Sequence, residues 1–506
     1  MIAKTYSAVL LGLQPQMIEV ETGLLKGLSS FSIVGLPNKA IDESKERITL
    51  ALRSIKAKPP LRFNAKTIIN LAPSDVKKEG ALLDLAIALS FLIASEQTKP
   101  IQEQILLLGE LGLDGRLRQV NGVLPIILGG LKQGFKKFFI PAANSFEVRF
   151  LQQGEIYPFS HLHQVLDFIE EQVKVKPLQP EIFQPSPRET DLSFLKLPSP
   201  IIRALKIVAA GRHNLLLHGP PGTGKTLIGK ALAYLLPPLT YAEALEITGI
   251  YSACGELKPD AASPDQTDFI FYPPFRAPHH TASPISILGG GQNPRPGEVS
   301  LAHQGVLFLD ELPEFRRDVL EGLREPLESK EITVTRVRGR LKFNANFLFI
   351  GAYNPCPCGF YQDKEKDCSC SAADINRYKK KISGPIADRL DIFLLVPRLA
   401  GEKIFADSDL DFSQLTEEIA NLKKVQLKRQ DKYNSELSPK EIKSYCPLEP
   451  AAQGILIEAT DRMRLSLRAV HKILKVSRTI ADLQNQETLQ SSHIGEAIQY
   501  RFQGNE

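Results

Sequence analysis

The pattern of apolar and polar positions divides the chain into stretches of different character. Residues 1–170 mix short β-rich runs, TIINLAP (67–73) and FKKFFIP (135–141), with helical patterns at 38–55 and 81–95. That mixture predicts an α/β or α+β domain. Residues 171–200 hold six prolines and no sustained periodicity. Proline fixes φ and removes a backbone donor, so this segment reads as an extended linker. From 201 to 400, strand-like and helical runs alternate: NLLLHG, TLIGKALAYLL, GVLFLDE, RDVLEGLREPLES, NFLFIGAYN. Alternation of this kind predicts a parallel sheet flanked by helices, an α/β fold. Residues 401–506 turn helical, and no internal repeat is visible.

Composition narrows the class. At 506 residues the chain outgrows a single core. With 43% hydrophobic and 24% charged residues it reads as an ordinary soluble protein. A net charge of +5 permits nucleic-acid binding without requiring it, because binding footprints come from local clusters. The first twenty residues lack a long apolar core, and Glu19 and Glu21 follow soon, so no signal peptide is expected. The apolar stretch at 81–95 is interrupted by Asp84 and falls short of the ~20 residues a bilayer requires. A cytoplasmic location without membrane contact is expected. Six cysteines are too few for a disulfide scaffold at this length.

The candidate chemistry begins at GPPGTGKT, residues 219–226, set between an apolar strand and a helix. Gly219, Gly222 and Gly224 let backbone N–H groups turn toward phosphate oxygens, and the helix end adds its positive dipole. Pro220, Pro221 and Thr223 complete the loop. Lys225 supplies a charge for the β- and γ-phosphates, and the Thr226 hydroxyl can ligate Mg²⁺, which predicts ATP as the ligand. GVLFLDE places Asp310 and Glu311 at a strand end, where the first holds Mg²⁺ and the second polarises the attacking water. Asn354, ending the next strand, is placed to sense the γ-phosphate, although an Asn before proline is also an ordinary turn residue. In CPCGFYQDKEKDCSC, Cys356, Cys358, Cys368 and Cys370 form two thiol pairs that suit a closed structural Zn²⁺ site. Their C-x-C spacing departs from the usual C-x₂-C, and free or redox-active thiols are the alternative.

GPPGTGKT, FRAPHHTAS, LGGGQNPRPGEVSLAHQGVLFLDELPEF, NPCPCG and LRAVHKILKVSRTIADL together resemble the ComM/YifB family. These are bacterial AAA+ proteins of magnesium-chelatase type linked to natural transformation. The resemblance implies a homo-hexameric ring with a helical lid at 401–506. It implies that Arg389 is an arginine finger entering a neighbour's site and that Arg468 is the second sensor arginine. It further implies two pore-facing inserts. One contains APHHTAS; the other is the hairpin EITVTRVRGRLKFNANF, where alternation puts Arg336, Arg338 and Arg340 on one face. Three arginines on one face suit phosphate tracking along DNA, single-stranded or branched; a charged, solvated edge strand is the plain alternative. The expected function is that of a branch-migration helicase. Where the family carries Gly-Gln near the adenine, this sequence reads Leu197-Pro198, which leaves adenine specificity less secure.

Residues 70–92 and 108–141 resemble the protease domain of Lon, which uses a Ser-Lys dyad. Leu82 stands at the serine position and Leu124 at the lysine position. Neither can attack or ionise, so a non-proteolytic role in assembly or DNA contact is expected. A chelatase motor and a protein-remodelling chaperone are the rival functions; Tyr251 or Phe275 would serve the latter as a pore aromatic. His279 and His280 are too close to point to one metal ion, and their role stays open.

Overall fold

The computed structural model describes residues 2–35, 39–74, 78, 80–185, 197–257, 268–291, 294–336, 339–363, 366–382, 386–398 and 412–502. The chain forms two compact units, Met1–Gln184 with Tyr241–Ile270, and Pro185–Thr240 with Phe271–Glu506.

The first unit is built on a mixed seven-stranded sheet. Its strands are β1 (Ile2–Leu11), β2 (Gln14–Lys26), β3 (Ser30–Val34), β4 (Ala65–Ala72), β5 (Ile105–Leu107), β6 (Lys137–Pro141) and β7 (Glu155–Phe159). The order is β3-β4-β2-β1-β5-β6-β7, antiparallel across β1–β2 and β2–β4 and parallel elsewhere. Helix α1 (Asp84–Ala94) is buried at every position, as its mostly apolar sequence requires, and the polar Asp84 and Ser90 are buried with it. Leu82 and Leu124 both lie in one hydrophobic cluster of this unit. Proline-rich residues 174–185 are neither helix nor strand. They stay hydrogen-bonded to the unit through Leu178 N–H to Ile156 O and Glu181 N–H to Arg149 O, both 2.8 Å.

The helix Tyr241–Cys254 belongs to this first unit although it follows the phosphate-loop helix in sequence. Residues 247–252 are buried in succession, so no polar face marks it as a surface helix. Gly122 N–H donates to Ser252 O at 3.0 Å, and Tyr241 Oη donates to Phe150 O at 3.0 Å.

The second unit carries a five-stranded sheet that is parallel throughout. Its elements are α2 (Ser199–Gly211), β8 (Leu215–His218), α3 (Lys225–Leu235), β9 (Phe275–Arg276), β10 (Val306–Leu309), β11 (Glu331–Arg336), β12 (Gly339–Asn344), β13 (Leu348–Tyr353) and β14 (Ile392–Leu395). The sheet order is β9-β10-β13-β8-β14, with β11 and β12 forming a separate antiparallel hairpin. Then follow α4 (Phe412–Gln430), α5 (Leu467–Leu483) and α6 (Ser491–Phe502). One hydrophobic cluster runs from the sheet (Leu217, Phe308, Ile350) into these helices (Ile419, Ile473, Ile494). The helical C-terminal part thus shares the core of the sheet.

Candidate nucleotide-hydrolysis site

The chemistry gathers where β8, β10 and β13 end side by side. β8 runs into the loop 219–224, and α3 begins at Lys225. Gly219 is required by a close approach: a Cβ there would stand 2.2 Å from Val396 O. Gly222 and Gly224 take φ of 78° and 80°, conformations that only glycine adopts without strain. Lys225 Nζ donates to Gly219 O and Pro220 O, each at 2.8 Å, and to Asn354 Oδ1 at 3.0 Å. Thr223 Oγ1 donates to Pro220 O at 3.0 Å. Burial pulls the Lys225 ammonium below its usual range, against the attraction of Asp310 and Glu311. Burial, helped by Lys379 and Lys225, pushes His218 down to about 4, so it adds no cation beside the loop at neutral pH.

Thr226 Oγ1 donates to Asp310 Oδ2 at 2.8 Å. A hydroxyl and a carboxylate in contact are the hard oxygen donors that fit Mg²⁺, with water and phosphate oxygens completing the shell. Glu311 has φ of 51°, a left-handed conformation held by its surroundings at a cost of order 1–3 kcal/mol. Its backbone N–H donates to Asp310 Oδ1 at 2.9 Å. Its half-exposed carboxylate lies 3.2 Å from His280 Nδ1. Leu197 packs on Ala231 of α3, and Pro198 caps α2, so the segment leading to the loop is apolar.

The structure brings Lys225, Thr226, Asp310, Glu311 and Asn354 together and sets Arg389 and Arg468 apart from them. The two arginines line a cavity of about 400 Å³ that none of the phosphate-loop residues lines. Arg389 is buried, donates through Nη2 to Glu328, and has its carbonyl held by Asn214 Nδ2 at 3.1 Å. Arg468 is exposed on the first turn of α5.

Directly after Asn354 the chain enters the cysteine loop. The four Sγ atoms of Cys356, Cys358, Cys368 and Cys370 lie within 4.8 Å of one another, and all four thiols are free. Tyr361 N–H points at Cys356 Sγ (3.3 Å) and Cys358 N–H at Cys370 Sγ (3.4 Å). Four sulfurs around one centre with backbone N–H groups behind them fit a tetrahedral soft cation. The loop touches the nucleotide site: a Cβ at Gly359 would meet Pro221 Cδ at 2.7 Å.

The arginine hairpin differs from the expectation of a single basic face. β11 and β12 run antiparallel with Arg336 opposite Gly339 and Thr335 opposite Arg340. Neighbouring rungs alternate in face, so positions 336 and 340 fall on opposite faces of the ribbon. Arg340 is exposed, and Arg338 lies outside the described residues. Of the two pore-aromatic candidates, Tyr251 is buried in the first unit and Phe275 stacks on Phe308, ring centroids 5.7 Å apart.

Three family models match the chain: "Magnesium chelatase, subunit ChlI" over residues 191–404, "Subunit ChlI of Mg-chelatase" over 20–144, and "Magnesium chelatase, subunit ChlI C-terminal" over 411–501. Competence protein ComM of Haemophilus influenzae is 38% identical over 513 residues, covering 99% of this chain and 97% of that protein. The chain belongs to the ComM/YifB family. YifB of Salmonella typhimurium is 37% identical over 505 residues, 99% of this chain and 97% of its own. A shorter likeness, 27% over 158 residues, covers 31% of this chain and 34% of the DNA repair protein RadA of Aquifex aeolicus. The family is one of AAA+ ATPases, and the parallel sheet with its phosphate loop is the corresponding fold. No helix among the described residues is long and apolar enough to cross a membrane.

Three contacts around these residues are not legible in the sequence motifs. His280 stands next to His279 in the chain, but its partner is Glu311. Glu328, which meets Arg389, gave no signal among many surface acids. Lys472, one helical turn beyond Arg468, reaches Asp391 just past Arg389, and that i, i+4 spacing was the available clue.

Proposed function

We propose that the chain is one subunit of a homo-hexameric, ATP-driven DNA motor, a branch-migration helicase acting on incoming DNA in natural transformation. The observation that carries this reading is the likeness over almost the whole chain to a competence protein. Two arginines lining a cavity apart from the phosphate loop support it, since a ring would present them to a neighbouring site.

In this reading the loop 219–224 and Lys225 hold the β- and γ-phosphates, and Thr226 and Asp310 hold Mg²⁺, whose charge offsets that of the phosphates. Glu311 takes a proton from water as the water oxygen bonds to the γ-phosphorus and the β–γ bridge breaks. Asn354, already bonded to Lys225, reports on the γ-phosphate. Arg389 and Arg468 act on the neighbour's nucleotide, and the hairpin carrying Arg336, Arg338 and Arg340 engages the DNA backbone. The cysteine loop holds one structural zinc. The N-terminal unit is a Lon-type domain without its dyad, serving assembly or DNA contact in the cytoplasm. The match to magnesium-chelatase families favours a second reading, a chelatase motor, which would need partner subunits for activity. The burial of Tyr251 and the stacking of Phe275 weigh against a chaperone with either as its pore aromatic.

The test is steady-state ATP hydrolysis by the full chain, without DNA and with single-stranded or branched DNA, beside Glu311→Gln. Several-fold stimulation by DNA, lost in Glu311→Gln, is the expected result. Robust hydrolysis indifferent to every DNA sinks the reading and directs attention to protein substrates.

A further inference from the structure

The cavity of about 400 Å³ beside Arg389 and Arg468 is lined by six lysine and arginine side chains and four carboxylates, an excess of positive charge that suits an anion. We infer that Lys330 and His471 are further ligands of the nucleotide phosphates that a neighbouring copy of the chain presents to this cavity. The inference rests on the reading above, in which Arg389 and Arg468 act on that nucleotide.

Most of the lining cations are already committed within the chain. Lys472 Nζ donates to Asp391 Oδ1 at 2.6 Å, Lys475 Nζ to Ser435 O at 2.9 Å, and Arg212 Nη1 to Gln304 Oε1 at 3.2 Å. Arg389 donates to Glu328. Among the described residues, Lys330, Arg468 and His471 line the cavity with no hydrogen bond or ion pair at their side-chain nitrogens.

Lys330 ends the short helix Arg324–Ser329 in a left-handed conformation with φ of 62°. Such a cap favours glycine or asparagine, so the turn by itself does not call for a lysine. The side chain is half-buried. Burial pulls its ammonium below the usual range against the attraction of Glu436 and Asp391, and Arg212 and Lys475 add to the fall. All four of those residues line the cavity, which puts the ammonium on its wall. A cation stripped of water and lacking a counter-charge is stabilised by an incoming anion.

His471 stands three residues past Arg468 on α5, so the two share one helix face. Burial and then Lys475 hold it below the usual histidine range. At neutral pH it therefore offers a phosphate oxygen one N–H from an uncharged ring. Lys330 also sits at the root of the hairpin, where its carbonyl accepts from Ala345 N–H at 2.8 Å between the end of β12 and the start of β11. A phosphate that draws Lys330 inward and Arg389 off Glu328 pulls twice on the turn from which β11 springs.

The experiment measures kcat and KM for ATP on the full chain and on Lys330→Met, Lys330→Arg and His471→Ala, first alone and then diluted into a large excess of Glu311→Gln. Alone, Lys330→Met and His471→Ala should lower kcat by about 10- to 100-fold, the worth of one hydrogen bond to a charged group. Lys330→Arg, which keeps the charge, should fall less. On dilution nearly every variant phosphate loop faces an intact cavity on its neighbour, so kcat per competent subunit should rise to that of wild type diluted the same way. Rates that stay low on dilution overturn the inference, because a neighbour repairs neither a misfolded subunit nor a role in the variant's own active site. Undiluted variants as fast as wild type overturn it too. Arg389→Ala is the control: if it also stays low on dilution, the ring reading fails, and if it alone recovers, only the roles of Lys330 and His471 fall. Inorganic phosphate titrated into wild type and Lys330→Met separates the two sources of phosphate. A change in the wild-type rate that Lys330→Met loses, without recovery on dilution, assigns the cavity to the free ion and overturns the neighbour's part.

Discussion

Lys472 Nζ donates to Asp391 Oδ1 at 2.6 Å, and both side chains are largely buried. Asp391 stands two residues past Arg389, and Lys472 one helical turn past Arg468, so this ion pair sets the spacing of the two arginines. Asp391 also accepts from Asn214 N–H at 2.9 Å. Burial opposes its ionisation, but Lys472 and the adjacent His213 override that and hold the carboxyl well below the usual carboxylate range. Lys472→Met would leave this charge buried without its main partner. The expected loss is about 3–5 kcal/mol in urea denaturation. A loss under about 1 kcal/mol would mean that the pair does not hold the two elements together.

Arg389 and Arg468 sit away from their own chain's phosphate loop, which predicts complementation between defective subunits. Arg389→Ala should lower kcat by about 10³-fold, with ATP binding kept. Glu311→Gln alone should be similarly inactive. Mixed rings of the two should regain activity, because some interfaces pair an intact Glu311 with an intact Arg389. Mixing that never recovers hydrolysis would place the arginine's action within its own subunit.

The cysteine loop opens at Asn354 and abuts Pro221, so its order should matter for nucleotide binding. Elemental analysis is expected to find about one zinc per chain, as four thiolates around one centre imply. Stripping it with a chelator, or Cys356→Ser, should weaken ATP binding several-fold in a fluorescent-nucleotide titration. Protein with no zinc and undiminished affinity would assign the thiols another role.

Glu147 predicts a pH dependence in the N-terminal unit. It accepts from Leu124 N–H at 3.3 Å and Asn144 Nδ2 at 2.6 Å, and from the Ser252 hydroxyl. Burial raises its carboxyl from 4.5 to about 7 despite these bonds. A raised folded value means that the folded state keeps a proton the unfolded chain has lost. Stability from this group is therefore full below pH ~4.5 and is lost as pH rises through about 7. Linkage bounds the change at about 3 kcal/mol. Glu147→Gln, in which the Ser252 hydroxyl can turn to accept, should flatten the stability difference between pH 5 and pH 8. An equally steep profile in the variant would assign the dependence to other groups.

The sequence by itself determined the nucleotide site. Residues 219–226 form one local strand–loop–helix unit, and Asp310, Glu311 and Asn354 each end an apolar strand. In a parallel sheet, adjacent strands end on the same edge, so those groups meet whatever the loops between them do. The alternation of strands and helices, the linker prolines and the crowding of four cysteines were readable for the same reason, since each is set by neighbours in sequence. Tertiary structure alone decided the rest. Hairpin register moved positions 336 and 340 to opposite faces of the ribbon, which alternation along a single strand cannot reveal. The helix Tyr241–Cys254 joined the N-terminal unit because its buried residues found partners there, and periodicity says nothing about which partner a buried face meets. The contacts of His280 with Glu311 and of Lys472 with Asp391 join residues far apart in the chain. Their distances follow from strand order and helix packing, which spacing in the sequence does not encode.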